Sequence, residues 1–108
     1  MLTSHKQTTF GEFIRKSRKD KGLTLTKLAA SLDLDSANLS KIENGIREFD
    51  SKRLKSLSKA LNLEFEIVRR EYVSDSIGKI IYETDCSHDL LLIAEQKANY
   101  LRIKNQNQ

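Results

Sequence analysis

Between Ser36 and Arg47 the sequence SANLSKIENGIR carries side chains that can make directed hydrogen bonds from a helix surface. On a 100° wheel Leu39 and Ile42 point one way, with Asp35 and Glu43 flanking them. Ala37, Lys41 and Asn44 point the opposite way, Ser40 and Asn38 lie at the sides, and Ser36 sits at the N-terminal tip. This outer face is short, polar and without long acidic chains, the kind of surface that fits a DNA groove. Solvated helices of many proteins look similar, so the pattern gains weight only from the elements around it. No rival chemistry is encoded. His5, His88 and Cys86 are too few ligands for a metal site. There is no phosphate-cradling glycine loop and no Ser/His/Asp set. The expectation is a chain that is not an enzyme and needs no metal or cofactor.

The elements that must position this face are legible on either side of it. Asp35 offers a side-chain oxygen to the free amides of a helix over 36–44, and Gly45 can take the left-handed conformation that ends it. Leu28, Ala29 and Leu32 share one face of a preceding short helix that Thr24 can cap, and Gly22 ends the helix before that one. In that first helix Phe10, Phe13 and Ile14 form the buried face, with Thr8 or Thr9 as its cap. Leu54, Leu57, Ala60 and Leu61 mark a fourth helix that starts at Asp50 or Ser51. Leu63, Phe65, Ile67, Val68 and Tyr72 suggest a fifth; the alternation at its start also suits a short strand, but helix is preferred.

At these residues a family resemblance emerges. From about Phe10 to Glu71 the sequence resembles the helix-turn-helix domain of the Cro/phage-repressor (XRE-like) type. The matching positions are Ile14-Arg15, Arg18, Gly22-Leu23-Thr24, Leu28-Ala29, Leu32, Leu34, Leu39 to Gly45, Arg47 and Ala60-Leu61. The most specific string is SKIENG followed by a basic residue. Stand-alone controllers of restriction–modification genes and prophage-type repressors are similar in size and build. The resemblance implies an all-α, five-helix lambda-repressor-like DNA-binding domain with the helix over 36–44 in the major groove.

It also implies roles for residues. Ser36, Ala37 and Lys41 occupy the positions that most often reach base edges, with Asn38 and Ser40 beside them. Lys41 can donate to guanine O6 and N7, and Ala37 can pack on a thymine methyl. Asn44, Arg47 and Lys52 suit phosphates, which fix register without reading sequence. Arg18 pairs with Glu43 in such domains, and a partly buried carboxylate needs a cation in any case, so this pair reads as structural. Two departures stand out. Leu25 replaces a glutamine that usually opens the second helix, where it can bond a DNA phosphate and brace the recognition helix, which leaves Thr24, Thr26 and Lys27 to meet the backbone. Asp33 replaces the usual turn glycine, and aspartate tolerates positive φ better than most residues.

With 108 residues there is room for one small domain and an appendage. Charge is concentrated rather than spread. Residues 1–61 carry 13 Lys and Arg against 7 Asp and Glu, and residues 62–108 carry 6 against 8. The excess lies on the helix-turn-helix part and favours a polyanion such as double-stranded DNA. Apolar runs are far too short for a membrane span, and no signal-peptide pattern opens the sequence. A lone Cys86 fits a reducing compartment. The expected setting is the cytoplasm of a bacterium, or one holding a phage.

The expected organisation is a flexible arm over 1–8, the DNA-binding domain over 9–73 and a helical extension over 74–108. Ile77, Ile80 and Ile81 mark a short helix weakened by Gly78, followed by a break over 85–89 with Ser87 as a cap. Leu90, Ile93, Ala94, Lys97, Ala98 and Leu101 then line a long final helix whose last residues, 105–108, should fray. Two half-sites on DNA need two chains, so this extension is expected to dimerise, through Phe65, Val68, Tyr72, Leu90, Ile93, Ala94 and Leu101. The alternative is an antitoxin-like module whose C-terminal helices hold a different protein, with DNA binding kept for autoregulation.

Overall fold

The computed structural model describes residues 7–106 and is all-helical, with no strand among them. Its helices are α1 (Phe10–Asp20), α2 (Leu25–Ser31), α3 (Ser36–Glu43), α4 (Leu54–Leu61), α5 (Phe65–Thr84) and α6 (His88–Gln106). The arm expected over 1–8 lies outside the described residues except for Gln7 and Thr8, as do His5 and the last two residues. The chain divides into two compact units, Met1–Asp75 and Ser76–Gln108.

Helix starts in the first unit follow from side-chain capping. Thr9 Oγ1 accepts from the Glu12 amide at 3.1 Å while Glu12 Oε1 accepts from the Thr9 amide at 2.9 Å, a reciprocal capping box. Thr24 accepts from Lys27 N–H, and Asp35 accepts from Asn38 N–H at 2.7 Å. Asp50 caps a single 3-10 turn, Ser51–Arg53, that leads into α4. Where chain direction must reverse, the backbone turns left-handed: Asp33 has φ 57°, Gly45 φ 76° and Asn62 φ 53°. Asp33 thus fills the place of a glycine between α2 and α3 at a modest conformational cost.

The core is one cluster built from every helix of this unit. Ile14, Leu28, Leu32, Leu39, Leu57, Leu61 and Val68 are fully enclosed. Phe49, which lies in the segment between α3 and α4 and belongs to no helical repeat, is buried against Phe10, with ring centroids 5.6 Å apart in an edge-on arrangement. Leu25 packs half-buried on the cluster. The residue that departs from the family glutamine therefore contributes apolar contact at the start of α2.

Gly11 sets how closely α1 approaches α3. A Cβ at this position would collide with the Ile42 carbonyl oxygen and lie 2.7 Å from that of Glu43. Both obstacles are backbone, so the side chain that a larger residue brings cannot be accommodated by a rotamer change.

Two expectations need correction. Val68 is 0% exposed, and Tyr72 packs edge-on against Phe10 at 5.3 Å, while Phe65 is half-buried on the core beneath Lys55 Nζ. Val68 cannot reach a second chain without leaving the core, whereas Phe65 and Tyr72 pack on the core and keep part of their surface exposed. The separate short helix expected around Ile77 is also absent: α5 continues through Gly78 to Thr84. A glycine inside a helix costs about 1 kcal/mol relative to alanine, which weakens a helix of this length without breaking it.

In the second unit, the end of α5 and all of α6 are joined through Asp85 at φ 50°, with Ser87 Oγ accepting from the Leu90 amide. No described residue of this unit is buried. Ile77, Ile80, Tyr82, Leu90, Leu92, Ile93, Tyr100, Leu101 and Ile103 are between 45% and 86% exposed. Ala94 is exposed as well.

Gly11→Ala is expected to destabilise the domain by about 1–3 kcal/mol, the usual range for overpacking against atoms that cannot move aside. Urea unfolding followed by circular dichroism measures it, and an unchanged midpoint would mean that the two helices separate freely.

Candidate nucleic-acid interface

The presentation of α3 depends on its inner edge. Glu43 is 3% exposed, and its carboxylate accepts from Arg18 Nε at 2.8 Å and Arg18 Nη2 at 3.1 Å. Arg18 Nη1 also donates to the Leu23 carbonyl at 3.1 Å, so one guanidinium ties α1 to the end of α3 and to the loop that enters α2. The hydrogen bond that Arg18 donates to Glu43 raises the Arg18 pKa above its ordinary value, burial opposes this, and the carboxylate charge adds to the rise. Arg15 approaches the same carboxylate from 3.5 Å. Two arginines share one acid, which leaves net positive charge at this end of α3.

The predicted base contacts fall along the outer side of the helix. Ala37 and Lys41 are exposed, while Ser36, Asn38 and Ser40 are half-buried by their neighbours. Ser36 Oγ donates to Thr26 Oγ1 at 3.2 Å, which joins the N-terminal turns of α2 and α3. Asn38 accepts from Arg47 Nη1 and donates to the Asp35 carboxylate. Asn44 Nδ2 donates to the Ser40 carbonyl at 2.9 Å, and its Oδ1 accepts from Arg15. The loop beyond α3 is fastened to Lys41, whose carbonyl accepts from Ile46 N–H at 2.9 Å and Arg47 N–H at 3.3 Å.

Of the predicted phosphate contacts, Thr24, Thr26, Lys27, Asn44 and Arg47 are exposed on α2, α3 and the loop after it. Lys52 is exposed in the 3-10 turn, and no contact between its side chain and this group is seen. Hydrogen bonds therefore link Thr26 with Ser36 and Asn38 with Arg47. Lys41 contributes its carbonyl to the loop and leaves its ammonium in solvent.

Sequence reasoning overlooks two arginines here. Arg15 stands out in the sequence only as a family-matching position, although its place one turn before Arg18 puts it beside the same buried carboxylate. Arg53 Nη1 donates to the Leu32 carbonyl at 2.6 Å and ties the start of α4 to the end of α2. That contact spans elements far apart in the chain and has no periodic signature. Among the described residues no group of acidic, cysteine or histidine side chains could hold a metal ion.

A family model described as helix-turn-helix matches residues 14–68, which include all of α2, α3 and α4. The chain belongs to the helix-turn-helix family. The resemblance to Cro/phage-repressor type domains is thereby shown, and the family is one of DNA-binding transcriptional regulators. The HTH-type transcriptional repressor RghR of Bacillus subtilis (strain 168) is 29% identical over 107 residues, covering 86% of this chain and 79% of that one. The crystal structure of the clp gene regulator ClgR from Corynebacterium glutamicum is 30% identical, with a TM-score of 0.53 over 82% of this chain and 88% of that one. A solved complex of SinR protein with SinI protein shares the fold at 20% identity, with a TM-score of 0.50 over 91% of this chain and 99% of the matched one.

Arg18→Met leaves the buried Glu43 carboxylate with Arg15 alone, 3.5 Å away, and is expected to destabilise the domain by at most about 3–5 kcal/mol. Pairing the change with Glu43→Gln should recover part of that loss. Thermal unfolding of the two single variants and the double variant measures the coupling, and strictly additive losses would contradict the pairing.

Proposed function

We propose that this helix-turn-helix regulator binds a palindromic operator as a homodimer, with α3 in the major groove of each half-site. The observation that carries the reading is the outer side of α3, where Ala37 and Lys41 are exposed, Asn38 and Ser40 lie between them, and no carboxylate intervenes. Lys41 is the residue assigned to a guanine, and Ala37 is assigned to a thymine methyl. Thr24, Thr26, Lys27 and Arg47 are assigned to phosphates on either side. Occupation of a promoter is the mode of regulation, and the cytoplasm is where it happens.

Dimerisation is assigned to residues 76–108. An apolar surface of this extent needs a cover, since soluble monomers seldom leave so many large apolar side chains in water. Leu90, Ile93, Ala94 and Leu101 on α6 remain the proposed contacts with a second copy, whereas Val68 is excluded by its burial. The second reading gives the same surface to a different protein, as an antitoxin gives its tail to a toxin. SinR protein, which shares the fold, has been solved in complex with SinI protein.

Lys41→Ala is expected to lower discrimination by about 1–3 kcal/mol at one base pair of each half-site while leaving the fold intact. Competition between operator duplexes that differ at single positions measures this, and unchanged discrimination would contradict the docking. In solution the full chain should have the mass of two copies, and Ile93→Glu should reduce it to one without loss of helicity. A wild-type mass of one chain would contradict the homodimer and favour the second reading.

A further inference from the structure

Asn38 and Asn44 stand toward opposite ends of the outer side of α3, and each amide is hydrogen-bonded within the protein at both its oxygen and its nitrogen. Asn38 Nδ2 donates to Asp35 Oδ2 at 3.3 Å while its Oδ1 accepts from Arg47 Nη1. Asn44 Nδ2 donates to the Ser40 carbonyl at 2.9 Å while its Oδ1 accepts from Arg15 Nη2. Asparagine reads adenine by offering its oxygen and its nitrogen together to one base edge. An amide already held at both atoms must break or share those bonds to do so.

We propose that Asn38 and Asn44 are positioning residues that hold Arg47 and Arg15 as a pair of phosphate clamps, rather than contacts to DNA themselves. This inference rests on the operator-binding reading of α3. The two arginines differ from the others nearby. Arg18 commits its guanidinium to Glu43 and the Leu23 carbonyl, and Arg53 donates to the Leu32 carbonyl. Arg47 is exposed and pairs with no carboxylate among the described residues. One N–H goes to Asn38, and the guanidinium of this exposed residue has further donors to offer. Its backbone is held as well, through the bond from its own amide to the Lys41 carbonyl.

Arg15 is 39% exposed and sits 3.5 Å from a carboxylate that Arg18 already holds at 2.8 Å, so its charge remains available. An arginine that is free in solution gives up rotamer freedom when it grips a phosphate; one that is already held gives up less. Clamps near both ends of α3 would fix the register in which Lys41 and Ala37 meet the bases.

The test uses the duplex that the wild-type chain selects, with Asn38→Ala, Arg47→Ala, their double variant and Arg15→Ala. Asn38→Ala should weaken binding about 3–10-fold, equally at every variant of the site, because it loosens a backbone contact. Arg47→Ala and Arg15→Ala should each lower the slope of log affinity against log salt by about 1 per chain. The Asn38 and Arg47 double variant should bind no more weakly than Arg47→Ala alone. A changed base preference in Asn38→Ala would overturn the proposal by making Asn38 a direct reader, and so would additive losses in the double variant. If the wild-type chain selects no preferred sequence, the operator-binding reading falls and takes this inference with it.

Discussion

The buried carboxylate of Glu43 is the constraint on which the rest of the first unit depends. Placing an ion at 3% exposure is unfavourable unless a cation and further hydrogen bonds accompany it, and Arg18 supplies both. Because Arg18 is on α1 and Glu43 ends α3, satisfying the charge fixes the relation of the two helices. Gly11 then allows their backbones to meet at a distance no other residue would permit. An ion pair and a missing side chain thus act together. One sets direction and the other sets separation, and α3 is left with its polar side outward.

The remaining cations divide by what they touch. Arg18 and Arg53 are turned inward and bind carbonyls or a carboxylate, so their charge serves the fold. Lys27, Lys41 and Arg47 stay in solvent, and Arg15 lies between the two groups. The basic excess of the first 61 residues is therefore only partly a measure of affinity for a polyanion. What matters is the subset left on the side of α2 and α3 where Ser36 and Thr26 join the two helices.

Legibility in the sequence followed the range of the interactions. Helical spacing of Leu28, Leu32, Leu39, Ile42, Leu57 and Leu61 identifies apolar sides because each repeat is local. Asp35, Thr24 and Thr9 announce helix starts because capping acts within three residues. Gly11 carries no such signal, since its reason is a backbone 31 and 32 residues away. Phe49 lies outside any repeat, and its burial follows from Phe10. Periodicity could not separate a stripe that closes its own domain from one that seats a second chain. For that reason Val68 and Tyr72 read as a dimer surface, although both pack on the core. The candidate reading side of α3 was visible as a face, but the Asn38–Arg47 and Asn44–Arg15 bonds depend on how the loop and α1 fold back over it.

We propose that α3, held by Glu43 and Arg18, reads an operator shared by two chains. Selection of bound duplexes from a random DNA pool, with the mass of the resulting complex, tests it most directly. The expected outcome is a palindrome bound by two copies, with a guanine at the position opposite Lys41. Binding that salt abolishes and that enriches no consensus would contradict it.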